Sequence, residues 1–282
     1  MAVAEAVGRA LAEDLLPLGD LTASLIPAEI RATARLVSRE VGVLAGRACA
    51  VETLRQVDPS VHHEWNVTEG GPMASGTVVA VFTGRLATLV TAERTALNFL
   101  RHLSGVASLT ARFVALVDEA SGGRTRVLDT RKTTPGLRAL EKAAVRAGGG
   151  HNHRASLSDG IMVKDNHLAG LSIGQAVARA RQAWPGRPVH VECDTLDQLA
   201  LVLAARADRA LLDNMTPSQV AEGVVLVDGR LEVEVTGGVT LASVGDYALA
   251  KPDFVSVGAL THSAGVIDLG LDIAVEPSVR GV

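Results

Sequence analysis

The stretch from Val127 to His167 reads VLDTRKTTPGLRALEKAAVRAGGGHNHRASLSDGIMVKDNH and decides how the second half of the chain folds. Two short apolar runs, 126–128 and 160–163, each end abruptly in charged residues: Asp-Thr-Arg-Lys follows the first and Lys-Asp-Asn-His the second. A helical segment and a glycine-rich loop lie between them. This alternation predicts parallel strands joined by helices, with charged side chains at the strands' carboxyl ends.

The same alternation continues toward the end of the chain. Apolar runs recur at 126–128, 160–163, 188–191, 210–212, 231–235 and 254–257, separated by helix-like segments at 137–147, 173–183, 196–205, 217–225 and 241–249. Every run ends in polar residues or glycine. In a barrel those ends form one ring, whereas a doubly wound sheet needs them mainly at one switch point. The pattern favours a barrel, with six or so recognisable strands rather than a clear eight.

The first hundred residues have the pattern of an α+β fold. Helix-like segments at 3–16 and 46–57 alternate with strand-like segments at 31–38 and 77–83. A long helical stretch then runs from Leu86 to Glu119, and we expect an interruption near Ser104 and Gly105.

Composition narrows the class of protein. The 282 residues are 48% hydrophobic and 2% aromatic, and 27 basic against 31 acidic residues give a net charge of -4. A chain that is acidic overall and has few aromatic residues is not typical of nucleic-acid-binding proteins. Two cysteines, Cys49 and Cys193, with no pairing motif indicate a reducing compartment. The chain shows neither a signal-peptide pattern nor a run long enough to span a bilayer, so we expect a cytoplasmic protein that does not contact membranes.

Basic residues dominate the predicted strand ends. Arg131, Lys132, Arg154 and Lys164 each follow an apolar strand or the glycine loop, which is how a site for a small polyanion is built. We expect His153 to hydrogen-bond the anion. His151 and His153 as zinc ligands are a weaker alternative, because no nearby Cys or Glu completes a set.

Acids and glycines end the later strands. Glu192 and Asp213 could bind ribose hydroxyls, hold Mg²⁺ or stabilise a cationic sugar in the transition state. The runs Thr236-Gly237-Gly238 and Gly258-Ala259 are suited to phosphate binding by backbone N–H groups. By contrast, the periodicity of the long helix predicts only that Arg94 lies on an exposed face of it, and it gives no reason to place Arg94 in the site.

Several motifs together resemble the quinolinate phosphoribosyltransferase family nearly end to end. They are GDLTASLIP at 19–27, TAERTALNFLRHLSGVAS at 91–108, DTRKTTPGLRALEKAAVRAGGGHNHR at 129–154, IMVKDNH at 161–167, LLDNM at 211–215 and VGALTHS at 257–263. The resemblance implies an α/β-sandwich domain at 1–104, with the tail 265–282 packing on it. It also implies an incomplete α/β barrel at 105–264 of the type II phosphoribosyltransferase kind.

The resemblance further implies a homodimer that converts quinolinate and 5-phosphoribosyl-1-diphosphate, with Mg²⁺ and no organic cofactor, to nicotinate mononucleotide, diphosphate and CO₂. In the roles it implies, Arg94 reaches the partner's site, and Arg131, His153 and Arg154 hold the quinolinate carboxylates. Lys132 and Lys164 lie near a carboxylate and the diphosphate, Glu192 and Asp213 on the ribose and metal side, and Gly238 and Gly258 at the 5′-phosphate. We take Lys132, Lys164, Glu192 and Asp213 as the candidate catalytic residues, and Thr236, Gly237 and Ala259 as further phosphate contacts.

The chain departs from the family pattern at two positions. Val235 replaces a serine in the usual Glu-Ser-Ser-Gly-Gly run, and Ala143 stands where an aromatic residue is often found. Four alternatives remain: a molybdenum-transport relative of the same fold, a nicotinate phosphoribosyltransferase without decarboxylation, a Schiff-base aldolase using Lys164, and a non-catalytic phosphate-ligand binder. The intact RKTTPG and KDNH motifs argue against the first.

Overall fold

The structure is a computed structural model that describes residues 1–168 and 170–277. The chain forms two compact units. The first comprises residues 1–109, 134–149 and 264 onward, and the second comprises 110–133 and 150–263. The sequence-based limits of 1–104 and 105–264 stay a prediction. Residues 278–282 of the predicted packing tail lie outside the described residues.

The first unit is built on an antiparallel sheet. Its strands are β1 (Arg31–Ser38), β3 (His62–Trp65), β5 (Val78–Arg85) and β12 (Leu269–Val275), in the order β12-β1-β5-β3. Two short strands, β2 (Gly42–Val43) and β4 (Pro72–Met73), pair separately. The helices of this part of the chain are α1 (Ala2–Leu15), α2 (Arg47–Val57), α3 (Leu86–Ser121) and α4 (Arg138–Ala147).

The core of the first unit follows the two-residue period of its strands. Ala32, Ala34 and Leu36 alternate inward along β1, and all three are fully buried. They pack in one cluster with Leu54 of α2 and Leu89 of α3. The apolar positions of α2 and α3 are therefore the faces that cover this sheet.

The predicted interruption of the long helix is wrong. α3 runs unbroken from Leu86 to Ser121. A Cβ on Gly105 would overlap the carbonyl oxygen of Gly265, and in the same region the Ile267 amide donates to the Arg101 carbonyl at 3.1 Å. Gly105 is thus explained by the close approach of another backbone segment, not by a break in the helix.

The second unit is built on a parallel sheet. Its strands are β6 (Arg126–Leu128), β7 (Ile161–Val163), β8 (Val189–Cys193), β9 (Arg209–Asp213), β10 (Glu232–Thr236) and β11 (Phe254–Ser256). Between them lie α5 (Ile173–Ala183), α6 (Leu196–Ala204), α7 (Pro217–Val227) and α8 (Val244–Leu249), and α9 (Ala259–His262) follows the last strand. Side-chain oxygens of Ser172, Thr195 and Thr216 cap the N-termini of α5, α6 and α7.

The strand order identifies an open barrel. Within the described residues the order is β6-β11-β10-β9-β8-β7, and each neighbouring pair is parallel. This order follows the chain cyclically with no switch point, as in a barrel, but β6 and β7 stand at opposite ends of it. On the side of β6, His151 forms a single parallel bridge with Leu128. The predicted incomplete barrel is confirmed.

Across the described ranges, 1–168 and 170–277, no helix combines the length and apolar character that a bilayer span requires.

Candidate active site

A cavity of about 540 Å³ opens at the carboxyl ends of the second unit's strands. It collects most of the residues that the strand ends predicted, because parallel strands direct their carboxyl ends to one side. The lining residues are Thr130, Arg131, Lys132, His153, Arg154, Met162, Lys164, Glu192, Leu211, Asp213, Asn214, Glu234, Thr236, Gly237, Gly238 and Ser256.

Arg154 is held by its own loop. Its guanidinium donates from Nη1 to the Gly160 carbonyl at 2.9 Å, and Nη2 lies 3.5 Å from the Met162 sulfur. Burial, together with the nearby positive charge of Arg131, lowers the pKa of Arg154. Two guanidiniums gathered in a partly desolvated cavity favour an anion as the ligand between them.

A buried acid fixes the loop that carries Arg154. Asp129 is fully buried at the end of β6. Its carboxylate accepts from the Asn152 side-chain amide at 2.5 Å and from the His153 backbone N–H at 2.8 Å. The Asp129 carboxylate therefore organises the cationic loop, and its place within the DTRK motif gave no hint of this.

Lys164 and Glu192 form a direct ion pair. The ammonium of Lys164, after β7, donates to Glu192 Oε2 on the neighbouring strand β8. The Lys164 side chain is 43% exposed and that of Glu192 is 14% exposed. The predicted basic side and acidic side of the cavity thus meet at this pair.

Asn214 supports the second acid. It adopts a left-handed conformation at φ 55°, and its side-chain amide donates to Asp213 Oδ2 at 2.9 Å. Gly237, at φ 89°, packs so closely that a Cβ there would overlap the Asn214 amide oxygen. The glycine therefore allows the loop after β10 to approach Asp213. Sequence reasoning missed Asn214, although it stands in the quoted LLDNM motif.

A buried charged cluster lies at the base of the cavity, and sequence reasoning missed it as well. Glu234 on β10 is 1% exposed, and it accepts from the Ser256 hydroxyl and from Arg209 Nη1 at 2.8 Å. His153 Nε2 lies 3.3 Å from the same carboxylate. Burial raises the pKa of Glu234, but His153, Ser256 and Arg209 outweigh it, so the net shift is downward. Beside this cluster, burial and the Arg209 charge lower the pKa of His190 to about 4.

The departure at Val235 falls away from the cavity. Val235 is 1% exposed, whereas its neighbours Glu234 and Thr236 line the cavity. Successive side chains of a strand point to opposite faces. The lost serine hydroxyl is therefore replaced by a methyl group that packs in the barrel wall.

Three predicted site residues lie outside the cavity lining. Gly258 and Ala259 stand at the start of α9, where a Cβ on Gly258 would come within 3.2 Å of the Lys132 side chain. The Thr261 hydroxyl of the same turn donates to the Lys132 carbonyl at 2.7 Å. This glycine thus leaves room for Lys132. Arg94 is an exposed residue of α3 in the first unit.

Oxygen ligands for a hard cation are present at two positions. Glu192 and Asp213 both line the cavity, and Mg²⁺ in phosphate-transfer sites is often held by one or two carboxylates together with the substrate phosphates. The described residues contain no cluster of three or more His, Cys, Asp or Glu side chains able to hold a metal. The donor set therefore fits Mg²⁺ shared with a phosphorylated substrate.

The open barrel and its cavity define a class of protein that binds a small polyanion at the carboxyl ends of barrel strands. Two family models match the chain: the quinolinate phosphoribosyl transferase N-terminal domain over residues 20–104 and the C-terminal domain over residues 106–272. The chain belongs to the quinolinate phosphoribosyltransferase family.

Named relatives resemble the whole chain. A nicotinate-nucleotide pyrophosphorylase (carboxylating) of Mycobacterium leprae is 40% identical over 96% of this chain and 97% of its own length. A probable enzyme of the same name from Bacillus subtilis is 40% identical over 90% of this chain and 88% of its own. The solved structure of the nicotinate-nucleotide pyrophosphorylase from Francisella tularensis is similar with a TM-score of 0.92 and 36% identity, covering 97% of this chain and 96% of that one.

Proposed function

We propose that this chain transfers the phosphoribosyl group of 5-phosphoribosyl-1-diphosphate to the ring nitrogen of quinolinate. The products are nicotinate mononucleotide, diphosphate and CO₂, the last from the ring-2 carboxylate. The observation that carries the proposal is the grouping of Arg131, Lys132, Arg154 and Lys164 around one cavity of a chain in this family. Quinolinate and the diphosphate are both polyanions, and both need cations to bind.

The cations also provide positioning. Each of two arginine guanidiniums can donate a pair of parallel hydrogen bonds to one carboxylate. Two carboxylates held in this way fix the plane of the pyridine ring. A ring held in this way can point its nitrogen at the anomeric carbon of the ribose. Such orientation lowers the activation barrier of a reaction between two bound substrates by a large part.

Electrostatics serve the bond-breaking step. As diphosphate leaves, positive charge develops on the ribose, and the carboxylates of Glu192 and Asp213 are the anions placed in the cavity to stabilise it. Mg²⁺, held by these carboxylates and the diphosphate, would offset charge on the leaving group. After transfer the pyridine nitrogen is cationic, so the carbanion left at ring carbon 2 by CO₂ is stabilised within the ring itself. That carbon then takes up one proton from water to give nicotinate mononucleotide.

The Lys164 pair argues against the aldolase alternative. A Schiff-base lysine attacks a carbonyl as a neutral amine. Lys164 instead donates to the Glu192 carboxylate in a direct ion pair. This arrangement suits an ammonium that pairs with Glu192 in the substrate-free protein and with an anionic substrate once that substrate binds.

The test is turnover by purified protein given quinolinate, the diphosphate substrate and Mg²⁺, with variants that remove single cations. Arg131→Ala and Lys164→Ala should each lower kcat/KM by roughly 30-fold or more, the effect of removing about 2 kcal/mol or more of charge-assisted binding. Arg179→Ala, an exposed cation on α5, is the matched control and should behave as the parent. Equal rates for all three variants would contradict the proposal, and turnover of nicotinate alone would indicate the non-decarboxylating alternative.

We also propose that the protein acts as a homodimer in which Arg94 completes the partner's site. The support is family membership and the exposure of Arg94 on α3. Arg94→Ala and Lys164→Ala should each lose most of their activity alone, but mixing them after subunit exchange should restore activity, because some sites then carry neither substitution. No recovery in a mixture shown to contain heterodimers would contradict shared sites.

A cytoplasmic location is proposed from cysteine usage. Cys49 and Cys193 are both free and buried, which suits a reducing compartment. Cell fractionation would test it, and recovery of the activity outside the cytoplasmic fraction would contradict it.

A further inference from the structure

The two ring nitrogens of His153 face different groups of the protein. The side chain is 6% exposed. Its Nδ1 accepts a hydrogen bond from the backbone N–H of Arg154 at 2.7 Å. Its Nε2 faces Glu234 Oε2 at 3.3 Å. The ring therefore spans the space between the cationic loop and the buried carboxylate.

The hydrogen bond to Nδ1 decides where the proton lies. A protonated ring nitrogen can only donate, so an Nδ1 that accepts from a backbone amide carries no hydrogen. The remaining proton is then on Nε2, toward Glu234, and the imidazole is neutral. The partner of one ring nitrogen commonly sets the tautomer in this way.

The Glu234 carboxylate is compensated without a charge on His153. Glu234 Oε2 also accepts from Arg209 Nη1 at 2.8 Å, and the other carboxylate oxygen accepts from Ser256. Two further titratable groups lie beside His153: the Asp129 carboxylate accepts from its backbone N–H at 2.8 Å, and the His190 ring stands edge-on to it with centroids 5.6 Å apart. Arg209 thus supplies the positive charge that compensates Glu234.

We propose that His153 is uncharged, with its proton on Nε2, and acts as a positioning residue that seats Arg154 rather than as a cationic ligand of the substrate. This deepens the proposed function, because Arg154 is one of the cations assigned to quinolinate. The amide of Arg154 is held by the His153 ring, and its guanidinium is held by the Gly160 carbonyl. Truncating His153 removes the first of these two anchors.

The protonation state can be read from the wild-type protein without any substrate. In protein labelled with ¹⁵N-histidine, the His153 signals are assigned by their loss in His153→Asn. At about pH 7, near the pKa of an ordinary histidine, the proposal predicts one protonated nitrogen, Nε2, and one bare nitrogen, Nδ1. Protonation of both nitrogens, or a proton on Nδ1, would overturn it. This outcome does not depend on whether the protein turns over quinolinate.

The positioning role is tested by a double-mutant cycle on the KM for quinolinate. His153→Ala should raise that KM roughly tenfold, as removal of supporting residues around a site typically does. In an Arg154→Ala background the same change should add little, because the residue it positions is gone. Losses that multiply in the double variant would show that His153 acts on substrate directly, and would overturn the proposal.

Two conservative variants separate the ring nitrogens. The side-chain oxygen of Asn can occupy the place of Nδ1 and accept from the Arg154 amide, whereas Gln extends toward Glu234. His153→Asn should therefore retain a lower KM than His153→Gln. The pH profile of KM should have the same shape in wild type and His153→Asn. A step near pH 6.5 that the Asn variant abolishes would mean a cationic histidine and overturn the assignment.

Discussion

Arg209 forms ion pairs with two acids of the same strand, and these pairs offer a matched test of the buried cluster. Arg209 Nη1 donates to Glu234 at 2.8 Å and Nη2 donates to Glu232, also at 2.8 Å. The Glu234 side chain is 1% exposed and that of Glu232 is 52% exposed. The substitutions Glu234→Gln and Glu232→Gln therefore make the same chemical change and share Arg209 as a partner, but they differ in burial and in the contacts that only Glu234 makes with Ser256 and His153.

The expected magnitudes follow from that difference. Breaking a buried pair costs about 3–5 kcal/mol, because the remaining charge is left without compensation. Glutamine keeps one carbonyl acceptor, so we expect a loss of about 3 kcal/mol for Glu234→Gln. An exposed pair contributes about 0–1 kcal/mol, so Glu232→Gln should lose no more than that.

Thermal and urea unfolding measure both variants. At roughly 2–4 °C of Tm per kcal/mol for a chain of this size class, Glu234→Gln should lower Tm by about 6–12 °C. Equal losses for the two variants, or a loss under about 1 kcal/mol for Glu234→Gln, would refute the account of the cluster.

Acid should reduce the difference between wild type and Glu234→Gln. The net pKa of Glu234 is lowered in the folded protein. Its contribution to stability is therefore complete above the unfolded carboxyl pKa of about 4.3 and is lost as pH falls through the folded value.

Gly105→Ala should destabilise by about 1–3 kcal/mol, because its Cβ would overlap a backbone oxygen, whereas Gly174→Ala in α5 meets nothing within 4 Å and should stabilise by roughly 0.5–1 kcal/mol. Urea unfolding would contradict this reasoning if both variants moved in the same direction. Cys49 and Cys193 should resist a thiol reagent at about pH 8, since burial raises the pKa of each to about 12; rapid labelling of native protein would be inconsistent with that burial. Burial lowers the pKa of His190 to about 4, so stability should rise between about pH 4 and 6.5 as the unfolded histidine releases its proton. His190→Phe should flatten that rise, and an unchanged slope would assign it to other groups.

The barrel and most of its cavity could be predicted from the sequence because one physical rule links them. Alternating strands and helices give parallel strands, and parallel strands bring their carboxyl ends together. Polar residues at those ends, such as Lys164 and Asp213, therefore had to share one site. The rule requires only the position of a residue within its strand.

Depth within the barrel could not be predicted in the same way. Glu232 and Glu234 are two residues apart, so they point to the same face of one strand, yet one is exposed and the other is buried. Their alternation in an otherwise apolar strand, with Arg209 at the start of its neighbour, is a signal that could have identified the cluster. The role of Asn214 depends on a left-handed backbone and a close glycine, and neither is visible in a motif.

Contacts between segments that are distant in the sequence also could not be predicted from the sequence pattern. A glycine within a helical sequence commonly marks a weak point, and this led to the wrong prediction for α3. Gly105 is instead required by a segment 160 residues later in the chain, at Gly265. Similarly, strand β12 pairs with β1 across most of the sequence, and such pairing is set by tertiary packing.

The most direct test of the central claim is the fate of the ring-2 carboxylate. Quinolinate labelled at that carbon is incubated with the purified protein, 5-phosphoribosyl-1-diphosphate and Mg²⁺, and the labelled CO₂, diphosphate and mononucleotide are measured together. The account predicts that all three appear in equal amounts and only when the diphosphate substrate is present. Mononucleotide that retains the label, or no product at all from protein that binds both substrates, would contradict it.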